Sequence, residues 1–214
     1  MKKDFIIAVP KGRILEEFDP ILKKSGIIPE KDFYSENSRK LVFSTSKPEI
    51  KLIKVRSFDV ATFVSFGVAQ IGICGSDVLL EFDYDNIYNL FDLGIGKCRL
   101  SIAAPKNNAK TKDFWNNSHI RVATKYVNFT KKFFEKKGIQ AECIKLNGSI
   151  ELAPILGLCD RIVDLVSSGK TLEANNMIEG EKLADISTKL IANRQAYTSN
   201  KKELTKIISK FEKC

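Results

Sequence analysis

Histidine is almost missing: the 214 residues hold one, His119, beside two methionines and one tryptophan. A Ser-His-Asp triad or a His-rich metal centre has little to build on here. The neighbours "WNNSHIRVA" place His119 in a loop entering a strand, in a structural or solvated role. The five cysteines (Cys74, Cys98, Cys143, Cys159 and Cys214) are odd in number and lack paired spacing. That pattern argues against a zinc site and against a disulfide framework, and suits reduced thiols in apolar gaps. No apolar run approaches the ~20 residues of a membrane span. The run at 5–9 in "MKKDFIIAVPKGR" is too short for a secretory signal. A cytoplasmic protein with no membrane partner is expected.

What is present suits a folded globular chain. Hydrophobic residues make up 43% and charged residues 29%, and the length allows one large domain or two small ones. The net charge of +9 could serve nucleic acid, an anionic membrane or small polyanions. Its distribution decides between them. Lysines gather in "KNNAKTK" (106–112), "KKFFEKK" (131–137) and "NKKELTKIISKFEK" (200–213), the latter two with apolar residues at helical spacing. Those are solvated faces of amphipathic helices. No aromatics interleave with Arg and Gly, so no nucleic-acid partner is expected.

Short β-rich runs alternate with helical ones. "FIIAVP", "IKLIKV", "AQIGICG", "RLSIAA", "IRVATK", "AECIKL" and "RIVDLV" read as strands. "GRILEEFDPILKKSG", "SFDVATFVSFG", "SDVLLEFD" (capped by Ser76 or Asp77), "NFTKKFFEKKG" and "SIELAPILGL" read as helices. "KLADISTKLIAN" reads as one further strand, which would return to the first half, and "KKELTKIISKF" as a closing helix. This alternation predicts a largely parallel sheet covered on both faces.

The stretch "DRIVDLVSSGKTL" (160–172) resembles a phosphate cradle without being the common P-loop, whose leading glycine is Asp164 here. Backbone N–H groups at a strand-to-helix turn favour an anion, hydroxyls add donors, and Gly169 allows close approach. Asp164 would repel a second phosphate but would suit sugar hydroxyls or a bound Mg²⁺. Two readings stand on residue chemistry alone: a sugar-phosphate site, or a capped turn with a solvated acid. In the first half, Lys11, Gly12 and Arg13 follow one strand, Arg56 closes another, and Asp77 opens a helix after a third. Ligands of open α/β sheets lie at such strand ends, and three together suggest a polyphosphate or nucleotide site. The alternative for Arg56 is a surface arginine at a strand end, paired with Asp59 or another acid.

"VPKGRI", "VRSFDV…FGVAQIGICGSDVLLE", "DLGIGKCRLSIAAP" and above all "KLNGSIELAPILGLCDRIVDLVSSGKTLEANN" resemble ATP phosphoribosyltransferase, the first enzyme of histidine biosynthesis. The likeness runs over nearly the whole chain. It departs at Ser76, where a lysine is usual, and at "VATF" in place of "IPTY".

The resemblance implies an α/β fold of two lobes like type II periplasmic binding proteins, with the active site in the interlobe cleft. Lobe I would take 1–93 and 180–214, and lobe II 94–179. The implied reaction joins ATP to phosphoribosyl pyrophosphate, with Mg²⁺, giving phosphoribosyl-ATP and pyrophosphate. Ser167, Ser168, Gly169, Lys170 and Thr171 would hold the 5-phosphate, and Asp164 the ribose hydroxyls, helped by Glu151 and Asp160. Lys11, Gly12, Arg13, Arg56 and Asp77 would line the ATP and pyrophosphate side, with Lys11 and Arg56 catalytic. Because the sequence stops after the closing helix, it resembles the short form. That form acts with a regulatory subunit similar to histidyl-tRNA synthetase, as a homodimer within a hetero-oligomer. The alternative is a non-catalytic solute- or nucleotide-binding protein of the same fold.

Overall fold

The computed structural model describes residues 4–35, 37–108 and 117–212. Trp115, Asn116, Cys214 and most of the 106–112 lysine run therefore lie outside the described residues. The chain forms two compact units. Unit 1 takes the residues up to Leu79, then Asp83–Gly96, and those from Ser187 onward; unit 2 takes Leu80–Phe82 and Lys97–Ile186.

Unit 1 is built on a six-stranded sheet in the order β2-β3-β1-β4-β11-β5. Its strands are β1 (Phe5–Pro10), β2 (Val42–Ser44), β3 (Ile50–Val55), β4 (Ile71–Gly75), β5 (Ile87–Asp92) and β11 (Thr188–Asn193). Helix α1 (Arg13–Lys24) buries Phe18 and Leu22, one turn apart on one face. The last helix, α8 (Lys201–Glu212), follows the short α7 (Arg194–Ser199) and buries Leu204, Ile208 and Phe211. The Phe18 and Phe211 rings meet at 5.6 Å, so the two amphipathic stripes share one core with Ile7, Val9, Leu52, Ile73 and Leu190. Helix α2 (Ser57–Ser65) packs close on β4 because Gly72 has no side chain. A Cβ there would stand 2.7 Å from Val64 and 2.8 Å from Val60.

Unit 2 holds a five-stranded sheet in the order β10-β6-β9-β7-β8. These are β6 (Cys98–Pro105), β7 (His119–Thr124), β8 (Gln140–Lys145), β9 (Arg161–Val166) and β10 (Met177–Ile186). Ala103, Ala123, Ile150, Ile162, Val166, Leu172 and Met177 form its core. His119 opens β7 and is exposed.

Four sequence expectations need correction. The sheets are mixed, not largely parallel: β1 pairs parallel with β3 and β4, and β7 with β8 and β9. The pairs β2–β3, β4–β11, β5–β11, β6–β9 and β6–β10 are antiparallel. Strand β11 reaches its antiparallel neighbours β4 and β5 only after the chain has passed through the whole of unit 2, so sequence order does not announce its direction. "KLADISTKLIAN" is two strands on two sheets, broken at Ser187. There the Ser76 N–H donates to the Ser187 carbonyl at 2.8 Å, and the Ser187 N–H to the Ser76 hydroxyl at 3.2 Å. That hydroxyl thus ties two segments together instead of capping its own helix. Residues 180–186, expected in lobe I, stay in unit 2 because β10 pairs with β6 as far as Ile186 opposite Cys98. Finally, "SIELAPILGL" keeps one helical turn, α5 (Leu152–Ile155). Pro154 lacks an N–H, and Ser149 (φ 49°) and Gly157 (φ 75°) bracket the turn with left-handed backbone.

Candidate active site

In unit 1 the residues of interest follow three adjacent parallel strands. β1 lies between β3 and β4, with Pro10 opposite Val55, so Lys11 and Arg56 leave the sheet side by side. The Lys11 N–H donates to the Val55 carbonyl at 3.0 Å. Arg56 is extended (φ −69°, ψ 148°), caps α2 through its carbonyl, and has an exposed side chain. Lys54 shows how cationic this end is. Burial first, and the charge of Lys11 second, hold its ammonium below the usual lysine range.

Gly12 adopts φ 84° and ψ −152°, backbone open to glycine alone, and no atom lies within 4 Å of where a Cβ would be. That leaves the start of α1 open to a ligand. Arg13 pairs with Glu17 at 3.6 Å, both largely exposed, a contact weak enough to yield to an anion. Asp77 differs from the others. It is only 8% exposed, in the first turn of α3 (Ser76–Glu81). A Cβ on Gly75 would fall 2.1 Å from its Oδ1. Its carboxylate is folded over its own turn, and Gly75 is required for that packing.

In unit 2 the predicted nest lies at the C-terminal end of β9. Ser167 and Ser168 are exposed, and Gly169 is left-handed (φ 79°) with no atom within 4 Å of a would-be Cβ. Helix α6 (Lys170–Ala174) follows, anchored by buried Leu172. The Lys170 N–H lies 3.4 Å from the Ser168 hydroxyl, and Lys170 and Thr171 are exposed. Asp164 is half-buried on β9 opposite Ser101, and its Oδ1 accepts the Leu165 N–H at 2.8 Å. Glu151 immediately precedes α5 and is half-buried.

Asp160 does not join them. It precedes β9, so seven residues of extended chain, roughly 23 Å, separate it from Ser167. Its carboxylate accepts the Arg121 N–H at 2.9 Å, and its own N–H donates to the Arg121 carbonyl at 3.0 Å. It fixes the opposite end of the strand pair β7–β9.

Sequence reasoning missed two groups. Arg99, first seen only as part of "DLGIGKCRLSIAAP", grips Glu179 with Nε and Nη2 at 2.5 Å each, and Nη1 donates to the Ser167 carbonyl at 3.1 Å. Each charge favours the other: Glu179 holds the guanidinium above its ordinary pKa, and Arg99 holds Glu179 below the usual carboxylate range. Glu81, 5% exposed, accepts the N–H groups of Asn128 and Phe129, both at 3.1 Å. It caps α4 (Val127–Glu135), and no local pattern announces a cap supplied from residue 81.

A family profile for ATP phosphoribosyltransferases matches residues 56–213. The chain is 53% identical over 206 residues to the ATP phosphoribosyltransferase of Rhodospirillum rubrum, covering 96% of this chain and 91% of that one. It is 54% identical over 208 residues to that of Paramagnetospirillum magneticum, covering 97% and 95%. The chain belongs to the ATP phosphoribosyltransferase family. Its reaction transfers the phosphoribosyl group of phosphoribosyl pyrophosphate to N1 of ATP, the first step of histidine biosynthesis. Enzymes of this family work with a metal ion.

Among solved structures, the ATP phosphoribosyl transferase (HisG:HisZ) complex of Thermotoga maritima is similar, with a TM-score of 0.83 at 33% identity, covering 98% of this chain and 97% of that one. The VFT2 domain of Bordetella pertussis BvgS has a TM-score of 0.63 at 12% identity, covering 97% and 85%, a likeness of fold alone. The two-lobed α/β architecture is therefore shared. No described helix is long and apolar enough to cross a membrane.

Proposed function

We propose that the chain performs the ATP phosphoribosyltransferase reaction with two residue groups. Ser167, Ser168, Gly169, Lys170 and Thr171 hold the 5-phosphate, and Asp164, aided by Glu151, holds the ribose hydroxyls. Lys11, Gly12, Arg13 and Arg56 face ATP and the leaving pyrophosphate. Asp77, buried over Gly75, supports that group by shaping its turn and is the weakest direct contact. Asp160 plays no part in binding.

The observation that carries this reading is the open left-handed turn at Gly169 with Asp164 on the strand that feeds it. N1 of adenine already bears a lone pair, so no general base is needed to start the reaction. What remains is to align N1 with the anomeric carbon and to stabilise charge growing on pyrophosphate. Lys11 and Arg56, side by side after β1 and β3, supply that charge.

Among the described residues, no group of three or more His, Cys, Asp or Glu could hold a metal ion. A lone carboxylate beside a phosphate nest suits Mg²⁺ that arrives on substrate phosphates. Such an ion would neutralise the pyrophosphate, with Asp164 as the nearest protein ligand. The likeness to the Thermotoga maritima complex supports a regulatory subunit similar to histidyl-tRNA synthetase as partner, with this chain as a homodimer inside the assembly. The reaction takes place in the cytoplasm.

The test is pyrophosphate release by purified protein with both substrates, with and without that partner. Asp164→Asn keeps the shape and removes the charge. It should lower kcat/KM roughly tenfold to a thousandfold, or ~1.4–4 kcal/mol, with folding intact. Full efficiency in a folded Asp164→Asn protein would reject the assignment.

A further inference from the structure

Arg99 lies in β6 opposite Val166, the last residue of β9, so its side chain starts beside the point where the nest loop leaves the sheet. Glu179 lies in β10 opposite Ala103, on the same face of β6 four residues along. The guanidinium lies between them, bidentate on Glu179 at 2.5 Å and donating to the Ser167 carbonyl at 3.1 Å.

We propose that Arg99 and Glu179 are a positioning pair for phosphoribosyl pyrophosphate, holding the Ser167 peptide so that the nest presents its donors to the 5-phosphate. The proposal rests on the reading of the 167–171 loop as that nest. Its physical basis is the planar peptide: the Ser167 carbonyl and the Ser168 N–H lie in one plane and point in opposite directions. A guanidinium gripping the carbonyl therefore aims the Ser168 N–H away from Arg99 and fixes the first donor before Gly169. Ser167 lies just past the β6–β9 ladder, so this grip replaces the one that strand pairing gives its neighbours.

Glu179 has two tasks. It orients the planar fork, which a lone arginine would explore through many rotamers. It also neutralises the cation, so Arg99 steers the loop instead of capturing the phosphate itself. An ion pair that merely tied β10 to β6 would change stability and leave substrate affinity alone.

The experiment uses the whole protein, with its regulatory partner where activity needs it. KM for each substrate, kcat and the unfolding midpoint are measured for Glu179→Gln, Arg99→Met and the double variant Arg99→Met/Glu179→Met. Glu179→Gln and Arg99→Met should each raise KM for phosphoribosyl pyrophosphate about tenfold, the scale of one lost charge-assisted contact. KM for ATP should move much less, and kcat should fall less than KM rises. The double variant should be no worse than Arg99→Met, because the two residues act as one unit. Should Glu179→Gln fold poorly, Arg99→Lys replaces it: charge without the fork should give an intermediate KM.

Gly169→Ala and Thr171→Ala are measured alongside to separate the two ideas. If they raise KM for phosphoribosyl pyrophosphate while Arg99→Met and Glu179→Gln (or Arg99→Lys in its place) leave it at the wild-type value, the positioning role is overturned and the nest stands. If none of them changes it, the nest assignment falls and takes this proposal with it.

Discussion

Replacing Gly169 by alanine separates a phosphate nest from an ordinary helix cap. Gly169 has φ 79° and ψ −5°, and no atom lies within 4 Å of the new Cβ. The substitution therefore meets no steric clash in the free protein, and its only intrinsic cost is the left-handed backbone, about 1–2 kcal/mol. In a chain of this size that lowers Tm by roughly 2–8 °C. If Gly169 were only a cap, activity at saturating substrate and moderate temperature would hardly change, because most molecules stay folded. If its open side receives the 5-phosphate, the methyl occupies space meant for oxygen and the strained turn relaxes away from the nest. Then kcat/KM for phosphoribosyl pyrophosphate should fall by more than about tenfold, beyond the torsional cost alone. Gly169→Asn is the control, since asparagine tolerates this backbone better but still carries a Cβ. It should keep more of the stability and lose comparable efficiency. The assay is pyrophosphate release against phosphoribosyl pyrophosphate concentration, paired with thermal unfolding. A Gly169→Ala protein with a lowered Tm and wild-type kcat/KM would refute the nest.

Arg56→Ala should lower single-turnover kcat roughly tenfold to a thousandfold, with lysine rescuing only partly; a raised KM with normal chemistry would move the leaving-group role to Lys11 or Arg13. Glu81→Ala should destabilise the protein by about 1–2 kcal/mol by uncapping α4, and an unchanged urea midpoint would refute that role. Asp92 accepts hydrogen bonds from Lys189 at 2.8 Å, Ser187 at 2.7 Å and the Gly94 N–H at 2.8 Å. Lys189 first, then Ser187, bring its carboxyl down to about 2. A depressed carboxyl stabilises the fold above its ordinary value near 3.8 and loses that contribution as pH falls towards 2. Urea midpoints of wild type and Asp92→Asn should thus differ at pH 7 and converge between pH 4 and 2; a constant gap would exclude this linkage.

Local periodicity by itself determined most of the elements. β1, α1, β3, α2, β4 and the closing helix announce themselves through apolar stripes and strand-length runs, because one face of each must be buried. The residue types of the 160–172 stretch allowed a sugar-phosphate site but equally a capped turn with a solvated acid, because acid, hydroxyls and glycine serve both. The rest depended on partners far away in the chain. Strand direction in the mixed sheets follows from which strands become neighbours, and no single strand encodes that. The break at Ser187 exists because Ser76 takes both of its backbone groups, a contact between residues 111 apart. Asp160 and Asp164 look like one cluster when written on a line. An extended strand rises about 3.3 Å per residue, so it sends Asp160 to Arg121 and leaves Asp164 nearer the turn at Gly169. Arg99, Glu179 and Ser167 meet only because β6 pairs with β9 on one side and β10 on the other. Composition and spacing supplied the elements and the candidate residues, while tertiary pairing decided which of those side chains come together, because a strand's neighbours are chosen by contacts far away in the chain.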